Sequence, residues 1–182
     1  MENIRPYNTL FLDRDGVINI QRKGDYVKSV DEFVFIEGSL EALKILSPLF
    51  TYLIIVTNQR GVGRGLMTLK QLDEIHTFML RMITSEGGRI DKIYCCPDIN
   101  ADSINRKPNI GMALQAKRDF PGIDFSKSLL AGDSITDMLF AEKAGIPAIL
   151  IGNKYKPHEI AHLKIRKQYA DLLTFAKHLE ED

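Results

Sequence analysis

Thr9-Leu10-Phe11-Leu12-Asp13-Arg14-Asp15-Gly16 decides the fold. A short run of core-type residues proceeds without polar alternation and stops abruptly at a carboxylate. Strands buried on both faces of a parallel sheet read this way. Four similar runs follow. Tyr52 to Val56 stops at Thr57-Asn58-Gln59, and Arg89 to Tyr94 carries Ile90 and Ile93. Ser128 to Ala131 stops at Gly132-Asp133, and Ala148 to Ile151 stops at Gly152.

Helical patterns separate these runs. Ser39 precedes Leu40, Leu43, Leu46 and Leu49. Thr68 opens a capping box with Gln71 ahead of Leu69, Leu72, Ile75, Met79 and Ile83. His76 on this amphipathic segment reads as a surface or rim residue. Met112 to Phe120, Thr136 to Ala144 and Tyr169 to Leu179 complete the helices, with Gly145 as a C-cap before Pro147. Strands alternating with helices give right-handed βαβ units and an α/β sandwich.

Composition agrees with an ordinary globular chain. The sequence has 182 residues, 45% hydrophobic and 26% charged. That length suits a single domain over residues 1–182. Lys and Arg total 24 against 24 Asp and Glu, so no bulk field attracts nucleic acid or an anionic membrane. The longest apolar run, Leu53 to Val56 after Tyr52, falls far short of the ~20 residues that span a bilayer. The start, Met-Glu-Asn-Ile-Arg-Pro, lacks the basic-then-apolar pattern of a signal peptide. Cys95 and Cys96 are adjacent and offer no disulfide framework. These features lead to the expectation of a reduced, cytoplasmic protein.

The polar punctuation carries the chemistry. Ligands of open α/β sheets bind outside the carboxyl ends of the strands. Asp13-x-Asp15, Thr57-Asn58-Gln59 and Asp133-x-x-x-Asp137 all fall there. Carboxylates gathered in one crevice repel, and a hard divalent cation such as Mg2+ resolves the conflict while keeping waters for a phosphate. Arg106-Lys107-Pro108 supplies cationic charge, and Thr57 and Asn58 can donate to phosphoryl oxygens. An Asp beside Mg2+ can attack phosphorus and form an aspartyl-phosphate. A second carboxyl two residues on can protonate the leaving alcohol and then activate water.

Phe11-Leu12-Asp13-Arg14-Asp15-Gly16-Val17-Ile18-Asn19, Val56-Thr57-Asn58-Gln59-Arg60-Gly61-Val62-Gly63-Arg64-Gly65, Arg106-Lys107-Pro108 and Ala131-Gly132-Asp133-Ser134-Ile135-Thr136-Asp137 resemble the four motifs of the haloacid-dehalogenase superfamily of phosphatases. The resemblance points to its histidinol-phosphate and D-glycero-D-manno-heptose-1,7-bisphosphate phosphatase branch, and runs from about residue 8 to about residue 152. It implies a three-layer Rossmann-like sandwich with sheet order 5-4-1-2-3 and no large cap domain. Asp13 would be the nucleophile and a Mg2+ ligand. Asp15 would be the general acid/base, with its backbone carbonyl on the metal, and Asp133 would complete the metal set. Asp137 would lie farther from the metal. Thr57 and Asn58 would bind the transferring phosphoryl group, and Lys107 would stabilise its charge. Arg106 would help recognise substrate. Gln21 to Tyr26 would form a flap, with Gln59 and Arg60 lining the pocket.

Two departures from the branch stand out. The zinc loop common there is replaced by Tyr94-Cys95-Cys96-Pro97-Asp98-Ile99-Asn100-Ala101-Asp102-Ser103-Ile104-Asn105, which has no His and no second Cys pair. Tetrahedral zinc needs four ligands, so no structural zinc is expected. Ser134 follows Asp133 where the heptose enzymes often carry a basic residue, and a hydroxyl cannot neutralise a second phosphate.

The expected function is a Mg2+-dependent phosphomonoesterase acting on a small phosphorylated metabolite, with heptose-1,7-bisphosphate first. Histidinol phosphate and a polynucleotide 3′-phosphate are the alternatives, although zero net charge speaks against nucleic acid. A non-catalytic phospho-ligand-binding domain is the alternative of another class, opposed by intact catalytic positions. No membrane partner is expected, and the chain would be a monomer or small homo-oligomer. His158-Glu159-Ile160-Ala161-His162 matches a zinc-peptidase pattern, yet Pro157 opens it, charged residues follow, and it reads as a chance match.

Overall fold

The computed structural model describes residues 7–181. The six N-terminal residues, on which the signal-peptide reading falls, lie outside them. Among the described residues, six parallel strands form one sheet: β1 (Thr9–Leu12), β2 (Tyr52–Asn58), β3 (Lys92–Cys96), β4 (Ser128–Gly132), β5 (Ala148–Ile151) and β6 (Ile165–Tyr169). Their order is β3-β2-β1-β4-β5-β6. The expected order of the first five strands is present, with β6 added at the outer edge of β5. Helices α1 (Ser39–Leu46), α2 (Arg60–Gly63), α3 (Leu69–Ser85), α4 (Gly111–Asp119), α5 (Ile135–Ala144), α6 (Pro157–Ile160) and α7 (Leu172–Glu181) complete the fold.

Alternate strand residues face opposite layers, as a pleat requires. Leu10, Leu12, Leu53, Ile55, Leu129, Ala131, Ile149 and Ile151 pack with α1, α3 and α7. Phe11, Ile54, Val56, Leu130, Ala148 and Leu150 pack with α4 and α5. Apolar side chains are therefore buried on both sides of the sheet, which makes three layers and explains why the strands read as unbroken runs. Leu12 pairs with Ile55 on one side and Ala131 on the other, so β1, β2 and β4 finish near one level.

Several elements differ from expectation, and β2 runs on through Thr57 and Asn58. The third strand begins at Lys92 rather than Arg89. Arg89 instead donates to the carbonyls of Ser47 at 2.9 Å and Phe50 at 2.7 Å, which fastens the turn before β2. Tyr169 ends β6, and its helix starts only at Leu172. The peptidase-like stretch is no long helix, because α6 stops at Ile160 and His158 and His162 are both exposed. Among the described residues, no helix is long and apolar enough to cross a membrane.

After β1 the chain leaves the sheet and returns as a narrow ribbon. Ile20 N–H donates to the Val34 carbonyl at 2.8 Å, and Ile36 N–H donates to the Ile18 carbonyl at 2.9 Å. The ribbon's tip, Gln21 to Tyr26, overhangs the carboxyl ends of the strands, where it lines a cavity.

Candidate active site

Asp13 is the first residue beyond β1. Its backbone N–H donates to the Ala131 carbonyl at 3.0 Å, which carries the β1–β4 pairing one residue past the strand. Gly16 turns the chain with φ of 86°, a left-handed conformation suited to glycine. A Cβ at Gly16 would overlap the Asp133 carboxylate, so the turn lies directly against the end of β4. Asp133 itself follows Gly132, and Asp137 sits in the first turn of α5. The local sequence explains that placement. Ser134 and Asp137 form a reciprocal capping box, with the Ser134 hydroxyl donating to Asp137 Oδ2 at 2.6 Å.

Carboxylate oxygens of Asp13, Asp133 and Asp137 lie within 4.8 Å of one another. Lys107 enters this cluster from the opposite side. Its Nζ donates to Asp13 Oδ1 at 2.9 Å, Asp137 Oδ1 at 2.5 Å and the Val56 carbonyl at 2.8 Å. All three donors of the ammonium are therefore engaged in a buried setting. Asn58 holds the lysine's main chain: its Oδ1 accepts from Lys107 N–H at 3.0 Å, and its Nδ2 donates to the Lys107 carbonyl at 3.1 Å. Lys154, from the loop after β5, reaches Asp133 Oδ2 at 2.6 Å.

Negative charge exceeds what these cations balance. Burial, then the Asp137 carboxylate, pushes Asp13 up to about 8 despite Lys107. Burial and Asp137 also raise Asp133 against the pull of Lys154. Burial alone would depress Lys107, but Asp13 and Asp137 outweigh it and hold the ammonium above its ordinary range. The site thus keeps its lysine charged while disfavouring full ionisation of its acids. An all-oxygen donor set with surplus negative charge fits a hard divalent cation such as Mg2+.

Asp15 behaves differently. Burial opposes its ionisation, but the Arg14 guanidinium and hydrogen bonds from Asn19 and Gln59 win and hold it below the ordinary carboxylate range. Asn19 Nδ2 donates to its Oδ1 at 2.9 Å, and Gln59 Nε2 donates to its Oδ2 at 2.8 Å. The same Gln59 amide donates to Thr57 Oγ1 at 2.8 Å, which ties the end of β2 to the turn after β1.

The cavity above these groups has a volume of about 370 Å³, the size of a small-metabolite site. Asp13, Asp15, Asn58, Gln59, Arg60, Arg106, Lys107 and Asp133 all line it, as the sequence reading expects. Thr57 is buried beside Gln59 and is not among the lining residues. Arg22, within the expected flap, and Arg64 add two guanidinium groups to which the sequence reading gave no role of their own. Gly61 packs against Tyr26 and Gly63 against the Pro97 carbonyl, so these glycines shape the turn, whereas Arg60 and Arg64 beside them face the cavity. Lys154 was also missed, although it lies beyond the carboxyl end of β5, where ligand-facing residues are expected. Cys95 and Cys96 are free thiols that pack with the two core clusters, one on each face of the sheet.

Comparison with known proteins agrees with this geometry. Residues 104–175 match a family model described as "HAD-hyrolase-like". A D-glycero-beta-D-manno-heptose-1,7-bisphosphate 7-phosphatase of Neisseria meningitidis serogroup A is 36% identical, covering 95% of both chains. A D-glycero-alpha-D-manno-heptose-1,7-bisphosphate 7-phosphatase of Campylobacter jejuni is 35% identical over 92% of this chain and 95% of its own. The crystal structure of a D,D-heptose 1,7-bisphosphate phosphatase from B. bronchiseptica, complexed with magnesium and phosphate, superimposes with a TM-score of 0.87. It is 32% identical and covers 96% of this chain and 98% of that one. The fold and site define an α/β phosphatase scaffold of the haloacid-dehalogenase type. The chain belongs to the haloacid-dehalogenase superfamily, in the branch that holds the heptose-1,7-bisphosphate 7-phosphatases.

Proposed function

We propose that the chain is a single-domain, Mg2+-dependent phosphomonoesterase that removes the 7-phosphate of D-glycero-D-manno-heptose-1,7-bisphosphate. The observation that carries this reading is the contact of Asp13 with the buried Lys107 ammonium at 2.9 Å, at the floor of a cavity rimmed by arginines. Asp13 Oδ attacks phosphorus, the ester P–O bond breaks, and Asp15 gives its proton to the departing alkoxide. The product is an aspartyl-phosphate on Asp13 and a free sugar hydroxyl. Asp15, now ionised, takes a proton from water as the hydroxide oxygen attacks phosphorus, which releases inorganic phosphate and restores both acids.

Each neighbour has a part. Lys107 places positive charge against the nucleophile and the phosphoryl oxygens that gain charge beside it. Mg2+, held by Asp13, Asp133 and the Asp15 main-chain carbonyl, would neutralise phosphoryl charge and polarise phosphorus. Donors around Asp15 favour its ionised form, the one that activates water. A phosphate dianion entering next to it works in the opposite direction and favours the protonated form needed to expel the alcohol. Arg22, Arg60, Arg64 and Arg106 ring the cavity and suit a substrate with a second anionic group, and they supply basic charge that Ser134 cannot.

The test is phosphate release with Mg2+ from both anomers of the heptose bisphosphate, histidinol phosphate, common sugar phosphates and a 3′-phosphorylated oligonucleotide. Preference for one heptose anomer with retention of the 1-phosphate supports the assignment. Preference for another substrate keeps the chemistry and overturns the substrate.

A further inference from the structure

Arg14 lies between the two aspartates of the first motif, and its side chain is fully buried. A guanidinium brings five donors and a charge into the interior, and both need partners. Nη2 donates to Asp15 Oδ1 at 3.0 Å and Oδ2 at 3.1 Å. Nη1 lies 3.1 Å from His76 Nε2. Nε has no hydrogen-bond partner among the described residues. The flat group rests over Phe33, with 5.9 Å from the guanidinium carbon to the ring centre. Two polar partners, Asp15 and His76, thus fix the orientation of a buried cation.

His76 is itself buried on the inner face of α3, among Leu72, Ile75 and Met79, and not at the surface or rim as its sequence context suggests. A guanidinium only donates, so Nε2 must accept and the ring is the neutral Nδ1–H tautomer. Burial, and then the charge of Arg14, push His76 down to about 4, so the acceptor is kept neutral near pH 7. Arg14 cannot give up a proton, which excludes a relay from His76 to Asp15.

We propose that His76 is a positioning residue for the phosphatase reaction: it fixes the plane of Arg14, which in turn holds the Asp15 carboxylate in the orientation that proton transfer requires. This inference rests on the phosphatase reading above. Without the imidazole, Nη1 joins Nε as a buried donor lacking a partner, and Arg14 is released to turn away from Asp15. Substrate binding does not pass through this contact, so the effect belongs in kcat.

The experiment compares the wild type with His76→Leu and His76→Gln for phosphate release from the heptose bisphosphate with Mg2+, together with thermal melting. Leucine removes the acceptor, whereas the glutamine carbonyl can replace it. His76→Leu should lower kcat about 10-fold to 100-fold. KM should stay within about twofold, and His76→Gln should recover kcat to within about threefold of wild type. An unchanged kcat in His76→Leu, with only a lower melting temperature, overturns the inference, as does a glutamine variant as slow as the leucine one. Should the leucine variant fail to fold, the nitrogen resonances of His76 in the wild type decide: an unprotonated Nε2 supports the contact and a protonated Nε2 overturns it. A wild type inert toward every phosphomonoester overturns the phosphatase reading and this inference with it. An active wild type with an unaffected His76→Leu overturns this inference alone.

Discussion

Replacing Lys107 by methionine keeps most of the length of the side chain and removes its charge. The ammonium lies 2.9 Å from Asp13 and 2.5 Å from Asp137, both buried. At an effective dielectric near 20, contacts of this length carry a gross attraction on the order of 6 kcal/mol each. Most of that offsets desolvation, and removing one member of a buried pair costs about 3–5 kcal/mol net. The burial that pushes Asp13 up to about 8 keeps it protonated at pH 7 once Lys107 is gone, so the expected cost falls at the low end, about 3 kcal/mol. Urea unfolding at pH 7 with chelator measures this directly, and melting should drop by roughly 6–12 °C. Adding Asp13→Asn should change stability little further, because a protonated Asp13 already carries no charge. Mg2+ should raise the melting temperature of Lys107→Met more than that of wild type, since the cation then neutralises charge that the lysine no longer does. Turnover should fall by about 10²–10³ from loss of phosphoryl charge stabilisation. Stability within about 1 kcal/mol of wild type, with no larger response to Mg2+, would refute the charge balance described here.

Gly16→Ala forces a left-handed backbone on an alanine and drives a methyl into Asp133; it should cost roughly 1–2 kcal/mol from the backbone alone. Its Mg2+ affinity, read by calorimetric titration, should fall about tenfold or more, and unchanged affinity would count against Asp133 as a ligand. Thr68→Ala removes the capping box of α3 and should lose about 1 kcal/mol, or roughly 2–4 °C, with little change in turnover. His76 gives a pH signature. Its folded value near 4 lies below its unfolded value of 6.5, so the unfolded chain binds the extra proton between them. Stability from this residue is complete above pH 6.5 and falls as pH drops toward 4, by about 3 kcal/mol in all. Unfolding of His76→Gln across that window should show a correspondingly flatter curve.

Strands β1, β2, β4 and β5 were legible because apolar layers cover both faces, which leaves no polar alternation. The acids at the ends of β1 and β4 were legible for the same reason, since each breaks an apolar run. β6 escaped notice because it is an edge strand whose Arg166, Lys167 and Gln168 are exposed. The start of β3 was displaced because Arg89 serves a turn through its side chain and not the ladder. Lys154 reaches Asp133 through tertiary placement alone, and no local pattern announces it. His76 did carry a signal: it lies four residues after Leu72 and three before Met79, on the buried stripe of α3. A polar residue on such a stripe needs a buried partner, and the structure supplies Arg14, which no local pattern marks because it sits between two aspartates.

The central claim is that Asp13 accepts the phosphoryl group of a heptose bisphosphate. Its most direct test is the product of one turnover with Mg2+ in wild type and Asp13→Asn. The account predicts heptose 1-phosphate and inorganic phosphate from the wild type, a transient phosphate on Asp13 in rapidly quenched protein, and a loss of turnover of about 10⁴ or more in the variant. Substantial phosphate release by Asp13→Asn, or label on a residue other than Asp13, would contradict it.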